Sequence, residues 1–144
     1  MAILYTYVDN KINQFINNDL LIRIELEKYN IRISQTEIIE LDSFVKDMYN
    51  NFDFVRYDLF QNHCVSMIAK DLHHHAFDEA RVVIKGTGAF YFPIDNMLMQ
   101  LYVSPGDFVI IPAYMKHYFQ TVDDILILRF FTTHDDYEAI SDTL

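Results

Sequence analysis

Glycine, cysteine and basic residues are all scarce in this chain of 144 residues. The 3 glycines are Gly86, Gly88 and Gly106, so asparagine, which tolerates positive φ better than most residues, is expected to fill some left-handed backbone positions. A single cysteine, Cys64, excludes an internal disulfide and fits a reducing compartment. With 11 Lys and Arg against 21 Asp and Glu, the formal charge of -10 argues against nucleic acid and anionic membranes, since both attract basic patches. No apolar run approaches the roughly 20 residues that cross a bilayer. Met1-Ala2-Ile3-Leu4-Tyr5 has no basic region ahead of a long apolar segment, so no secretory signal is expected. These exclusions leave a soluble, cytoplasmic protein of one domain spanning residues 1–144 as the expectation, a monomer with oligomers left open.

Apolar residues make up 51% of the chain and aromatics 15%, enough for a sizeable core. Residues 1–16 carry a weak pattern, read as a short strand and a loop. From Asn18 onward Leu20, Leu21, Ile24 and Leu26 fall at helical spacing, with Asn17 or Asn18 as N-cap and Asn30 where a C-terminal cap glycine often lies. Ile31-Arg32-Ile33-Ser34-Gln35 alternates like a strand. Over residues 38–51 the apolar positions Leu41, Phe44, Val45, Met48, Tyr49 and Phe52 predict a second helix with one apolar stripe.

After Asn51 the period changes from 3.6 to 2. Strands are expected at 56–60, 63–70, 80–85, 89–94, 98–103, 107–112, 117–121 and 125–131, close enough together for a sandwich or barrel. Gly86-Thr87-Gly88, Asp95-Asn96 and Ser104-Pro105-Gly106-Asp107 read as turns, the first two as hairpins. The acidic tail, 133–144, is expected to be partly helical or loosely ordered.

The chemistry concentrates in His73-His74-His75-Ala76-Phe77-Asp78-Glu79-Ala80-Arg81 and in the distant His117. On a strand, residues i and i+2 share a face, so His73 and His75 can converge on one ion while His74 points away. Glu79 follows a bend, and His117 must come across from a later strand. Three imidazoles and a carboxylate suit a borderline divalent ion: Fe(II), Ni(II), Co(II), Mn(II) or Zn(II). Four protein ligands on an octahedral ion leave room for a bidentate oxygen ligand. A closed structural zinc site would more often use cysteines. The bland alternative, a solvated histidine patch, does not account for the spaced Glu79 and the Pro112-x-x-x-x-His117 element.

These motifs resemble those of the cupin superfamily. Its first motif, Gly-x5-His-x-His-x3,4-Glu-x6-Gly, is matched by His73, His75, Glu79 and Gly86, with Met67 at the first glycine. Its second, Gly-x5-Pro-x-Gly-x2-His-x3-Asn, is matched by Gly106, Pro112 and His117, with Tyr114 in place of the glycine and Thr121 in place of the asparagine. Within the cupins the chain is similar to the acireductone dioxygenases. The resemblance is carried by Glu79-x-Arg81, Val82-Val83-Ile84-Lys85-Gly86-Thr87-Gly88-Ala89-Phe90, the stretch 112–119 and Leu128-Arg129-Phe130. Weaker support comes from Leu26-Glu27-Lys28-Tyr29-Asn30-Ile31-Arg32-Ile33 and Tyr57-Asp58-Leu59-Phe60.

The resemblance implies an all-β dominated (α+β) chain. A helical N-terminal part (1–55) would precede a cupin-type jelly-roll β-barrel (56–132). It implies metal ligation by His73, His75, Glu79 and His117, with Fe(II) or Ni(II) as the ion. It also implies a small-molecule enediol and O2 as partners, the enediol being 1,2-dihydroxy-3-keto-5-methylthiopentene of methionine salvage. Iron would direct cleavage to formate and 2-keto-4-methylthiobutyrate, nickel to CO, formate and methylthiopropionate. Arg81, always cationic, would fork onto an anionic substrate oxygen, with an ion pair to a carboxylate as the structural alternative. Phe119 would wall the methylthio pocket or simply pack in the core, Tyr137 stands where the family often has a tryptophan, and Arg129 is expected as a structural partner. Two other readings stay open: a metal-dependent cupin dioxygenase or isomerase for another chelating substrate, and a non-catalytic cupin that binds a small ligand.

Overall fold

A computed structural model describes residues 2–63, 72–135 and 139–142. The elements are β1 (Ile3–Val8), β2 (Lys11–Ile16), α1 (Asp19–Glu27), β3 (Arg32–Gln35), α2 (Leu41–Asn51), β4 (Arg56–Asn62), β5 (His73–His74), β6 (Glu79–Lys85), β7 (Gly88–Ile94), β8 (Met97–Val103), β9 (Asp107–Ile111), β10 (Tyr118–Thr121), β11 (Ile125–Phe131) and β12 (Ile140–Ser141). Two five-stranded antiparallel sheets, ordered β10-β7-β8-β1-β2 and β3-β9-β6-β11-β4, face each other in a jelly-roll-like sandwich rather than a continuous closed barrel. No helix among the described residues is long and apolar enough to cross a membrane.

The inward residues of both sheets form the main core, with Leu4, Phe90, Phe92, Met99 and Leu101 opposite Val83, Val109, Ile111, Ile125 and Ile127. A second core lies behind the β3-β9-β6-β11-β4 sheet. There Ala80, Val82, Phe108, Ile110, Leu128 and Phe130 pack against Phe44 and Val45 of α2. This backing explains why β6 and β9 are largely buried on both faces. Their alternation separates two buried environments, not core from water.

In the N-terminal third β1 and β3 fall where strands were expected, whereas β2 takes the place of the expected loop, so residues 1–55 hold three strands beside the two helices. Asp9 and Asn10 take φ of 52° and 62°, the two left-handed residues of a tight hairpin turn, and so join β1 to β2. In α1 the Asn18 side chain caps Leu21 N–H at 3.1 Å. Asn30, at φ 61°, ends the helix as expected, with Ile31 N–H donating to Leu26 O and Asn30 N–H to Glu27 O. The buried face of α1 is Ile22 and Leu26, whereas Leu20, Leu21 and Ile24 are exposed. α2 begins at Leu41, three residues later than expected, because the Glu40 carboxylate accepts from Asp42 and Ser43 N–H groups and caps the helix there.

The Gly86 turn does not close a hairpin. β6 and β7 belong to different sheets, and Gly86, at φ 78°, carries the chain across the sandwich. Ser104–Asp107 is a second crossing turn, closed by Asp107 N–H to Ser104 O at 3.0 Å with Gly106 at φ 93°. The strand expected at 63–70 lies almost wholly outside the described residues. In the tail, Ile140–Ser141 forms a strand paired with β5, not helix.

Candidate metal centre

The site sits at one end of the sandwich, where strand ends meet. His73 lies on β5 and His75 immediately after it; Glu79 opens β6; His117 immediately precedes β10. Backbone pairing fixes their registry. His73 N–H donates to His117 O at 3.0 Å and His117 N–H to His73 O at 2.9 Å. Tyr114 N–H donates to His75 O at 2.7 Å, and the Asp78 carboxylate accepts from Ala113 N–H at 2.9 Å. The segment before His117 is thereby laced to the segment carrying the other histidines. Tyr114 makes the turn at φ 68°, the left-handed conformation that the cupin pattern gives to glycine.

One donor atom from each of His73, His75, Glu79 and His117 lies within 4.8 Å of all the others. His75, Glu79 and His117 are buried and His73 is partly so. The protonation pattern favours a cation among them. His117 Nδ1 lies 2.9 Å from the Met115 carbonyl, which can only accept, so Nδ1 carries a proton and Nε2 turns inward. That Nε2 is 2.8 Å from Glu79 Oε2, a buried oxygen that accepts no hydrogen bond of proper geometry. A buried carboxylate oxygen without a properly directed hydrogen bond, set among three imidazoles, is a place for a divalent ion. The donor set fits such an ion.

The electrostatics point the same way. Burial pushes the Glu79 carboxyl up, but the Arg81 guanidinium together with His117 and His75 outweighs it and holds Glu79 well below the usual range, ionised. Burial pushes the His75 imidazole down, towards the neutral form that binds metals, against the opposing pull of Glu79. Arg81 Nη2 lies 2.7 Å from Glu79 Oε1, and Nη1 donates to Ala80 O at 3.0 Å, so the guanidinium fixes the carboxylate with Oε2 towards the imidazoles. His74 faces away as expected, with Nδ1 2.8 Å from Asp142 Oδ2 beside the β5–β12 pair.

A cavity of about 530 Å³ opens over the cluster. Phe60, Phe90, Phe119, Ile127 and Phe131 give it apolar walls, and Phe119 stacks tilted on Phe90 with centroids 4.7 Å apart. Arg81 and Phe119 both line it, and Tyr137 lies outside the described residues. Arg129 is a structural partner, with Nε and Nη2 on the two Asp58 oxygens at 2.7 and 2.6 Å. Sequence reasoning missed the contribution of β4. Arg56, Asp58, Phe60 and Asn62, at every second residue, all face the cavity. That alternation was the available signal.

A jelly-roll sandwich that gathers three histidines and a glutamate at strand ends defines a metal-binding protein of the cupin type. The chain belongs to the ARD/ARD' family, whose sequence model matches residues 9–139. It is 34% identical over 70 residues to an acireductone dioxygenase of Sulfurihydrogenibium sp., a match covering 47% of this chain and 39% of that protein. It is 40% identical over 65 residues to the acireductone dioxygenase of Leptospira biflexa, covering 44% and 36%. The matched stretches thus span well under half of these curated relatives. Acireductone dioxygenase from Bacillus anthracis, solved with a cadmium ion in its active centre, superposes with a TM-score of 0.81 at 17% identity, covering 97% of this chain and 98% of that one. It shares the fold.

Proposed function

We propose that the protein is an acireductone dioxygenase that cleaves an enediol with O2 in methionine salvage, in the cytoplasm, with Fe(II) or Ni(II) as its ion. The observation that carries this is the convergence of His73, His75, Glu79 and His117 beneath an apolar cavity, with Arg81 on the glutamate, in a member of the ARD/ARD' family. A divalent ion held by those residues supplies a chelating template and charge stabilisation for two adjacent substrate oxygens.

The remaining contributions come from the chain itself. Arg81 keeps Glu79 ionised and oriented, and offers a fixed positive charge to the enediolate. Met115 O holds the His117 proton on Nδ1, so Nε2 remains a donor to the ion. Phe60, Phe90, Phe119 and Ile127 exclude water and receive the methylthio tail. Tyr137 is proposed as a further contact, from its place in the sequence alone. Which metal is loaded sets the products, the same four donors accepting either ion.

The test is O2 uptake by anaerobically Fe(II)-loaded protein given freshly generated acireductone, with the metal counted and His117→Ala as control. Uptake proportional to metal and absent in the control is expected. Full metal occupancy with no uptake refutes the proposal.

A further inference from the structure

Three guanidinium groups line the cavity, and two of them are matched by carboxylates: Arg81 by Glu79 and Arg129 by Asp58. Arg56 is different. Its Nε donates to Thr133 O and its Nη2 to Asp135 O, both at 3.1 Å, and among the described residues no carboxylate lies in ion-pair range of it. Carbonyl contacts orient a guanidinium without neutralising it. Among the described residues that charge is unmatched, in a chain where acidic residues are nearly twice as numerous as basic ones, and it faces the cavity.

Strand registry gives its distance from the metal centre. Arg56 on β4 is paired with Phe131 on β11. On the other side of β11, Phe130 is paired with Ala80, so Phe131 stands next to Glu79 in the adjacent row. Glu79, Phe131 and Arg56 therefore form one row across three strands, and at about 4.8 Å per strand the Arg56 backbone is about 10 Å from that of Glu79. The side chain leans over the intervening ring, with Cζ 3.9 Å from the Phe131 centroid. The Nε–Nη2 edge is engaged by the two carbonyls, which leaves the Nη1–Nη2 end for a planar two-oxygen acceptor.

We infer that Arg56 forms a carboxylate subsite, and that the cavity accepts chelating substrates or ligands whose far end is anionic as well as those with apolar tails. The inference builds on the metal-dependent reading of the site but does not need the dioxygenase reaction. A five-carbon 2-keto acid spans the row: its keto acid end meets the ion, its chain crosses Phe131, and its terminal carboxylate meets Arg56.

The experiment is calorimetric titration of anaerobic, Ni(II)-loaded protein with 2-oxoglutarate and with 2-oxopentanoate, which has the same carbon count and a methyl end. Wild type should bind 2-oxoglutarate roughly tenfold more tightly or better. Arg56→Met should abolish that preference and leave 2-oxopentanoate affinity within about twofold, and Arg56→Lys should keep part of it. Equal affinities in wild type, a preference that survives in Arg56→Met, loss of both ligands together in that variant, or binding of neither ligand by the loaded wild type each overturn the subsite. The two readings fail separately. A clear preference without O2 uptake sinks the dioxygenase and leaves the subsite, while O2 uptake without preference does the reverse.

Discussion

Individual residues carry unusual conformational demands here because glycine is so scarce. Tyr114 holds φ 68° and is 68% exposed, so apart from a tilted contact with the His74 ring at 6.2 Å between centroids little packing offsets the backbone cost. Tyr114→Gly is expected to raise stability by about 0.5–1 kcal/mol in urea denaturation and to leave metal affinity unchanged, because the bond to His75 O uses the backbone. Gly86 poses the opposite case. A Cβ there would overlap the Asp124 carbonyl at a left-handed position, so Gly86→Ala should cost more than about 2 kcal/mol in the same assay. Asp107 makes the pH prediction. It is fully buried, and burial pushes its carboxyl up despite hydrogen bonds from Ser104 N–H and the Gln35 amide. A carboxyl raised in the folded state contributes stability below its unfolded pKa, and that contribution is lost as pH rises through the folded pKa. Asp107→Asn should therefore compare more favourably with wild type at pH 7 than at pH 4, and a pH-independent difference in denaturation midpoint would refute the assignment.

At the level of elements, the amino-acid pattern showed β4, β6 to β11 and α2 clearly because each has an apolar side and a long enough run. It showed β1 only weakly and read β2 as a loop. All of β2 except the half-buried Ile16 is exposed, and its turn is Asp9-Asn10, with no glycine to mark it. Sheet membership was equally hidden. Gly86-Thr87-Gly88 has the composition of a hairpin turn, and only the packing of both faces of β6 reveals that the chain changes sheets there. The metal ligands were legible because a period of two places His73 and His75 together, whereas the β4 side of the cavity was not, because Arg56 and Asp58 look like solvent-facing charges in an alternating strand. The back core separates stability from function. Phe130, fully buried, stacks on Phe54 with centroids 4.8 Å apart, on the side of β11 away from the site. Phe130→Ala should cost about 3–5 kcal/mol yet leave stoichiometric metal binding in the folded fraction, measured by metal analysis after size exclusion.

For the molecule as a whole, charge sets how an anionic substrate arrives. The overall charge is -10, but the cavity carries Arg56, Arg81 and Arg129 against Asp58 and Glu79, three positive charges to two negative, before any metal is counted. The far field repels an anionic ligand and the near field attracts it. Salt screens the far field first. The association rate of an anionic keto acid with Ni(II)-loaded protein should therefore rise about twofold as ionic strength goes from low to near-physiological, and stopped-flow measurement of a monotonic fall would contradict this picture.

The pairing of β5 with both the His117 segment and β12 also bears on timing. His73 acquires its backbone partners from His117 and, 67 positions after His73 itself, from Ile140–Ser141. During synthesis at about 5–20 residues per second, roughly 3–13 s separate the first ligand from the strand that clamps it. The donors thus emerge one at a time, the weakest configuration for holding an ion, and the set is complete only once His117 has followed the other three by 38 to 44 positions. An ion that needs all four donors would therefore be taken up after the sandwich strands between Glu79 and His117 have been made.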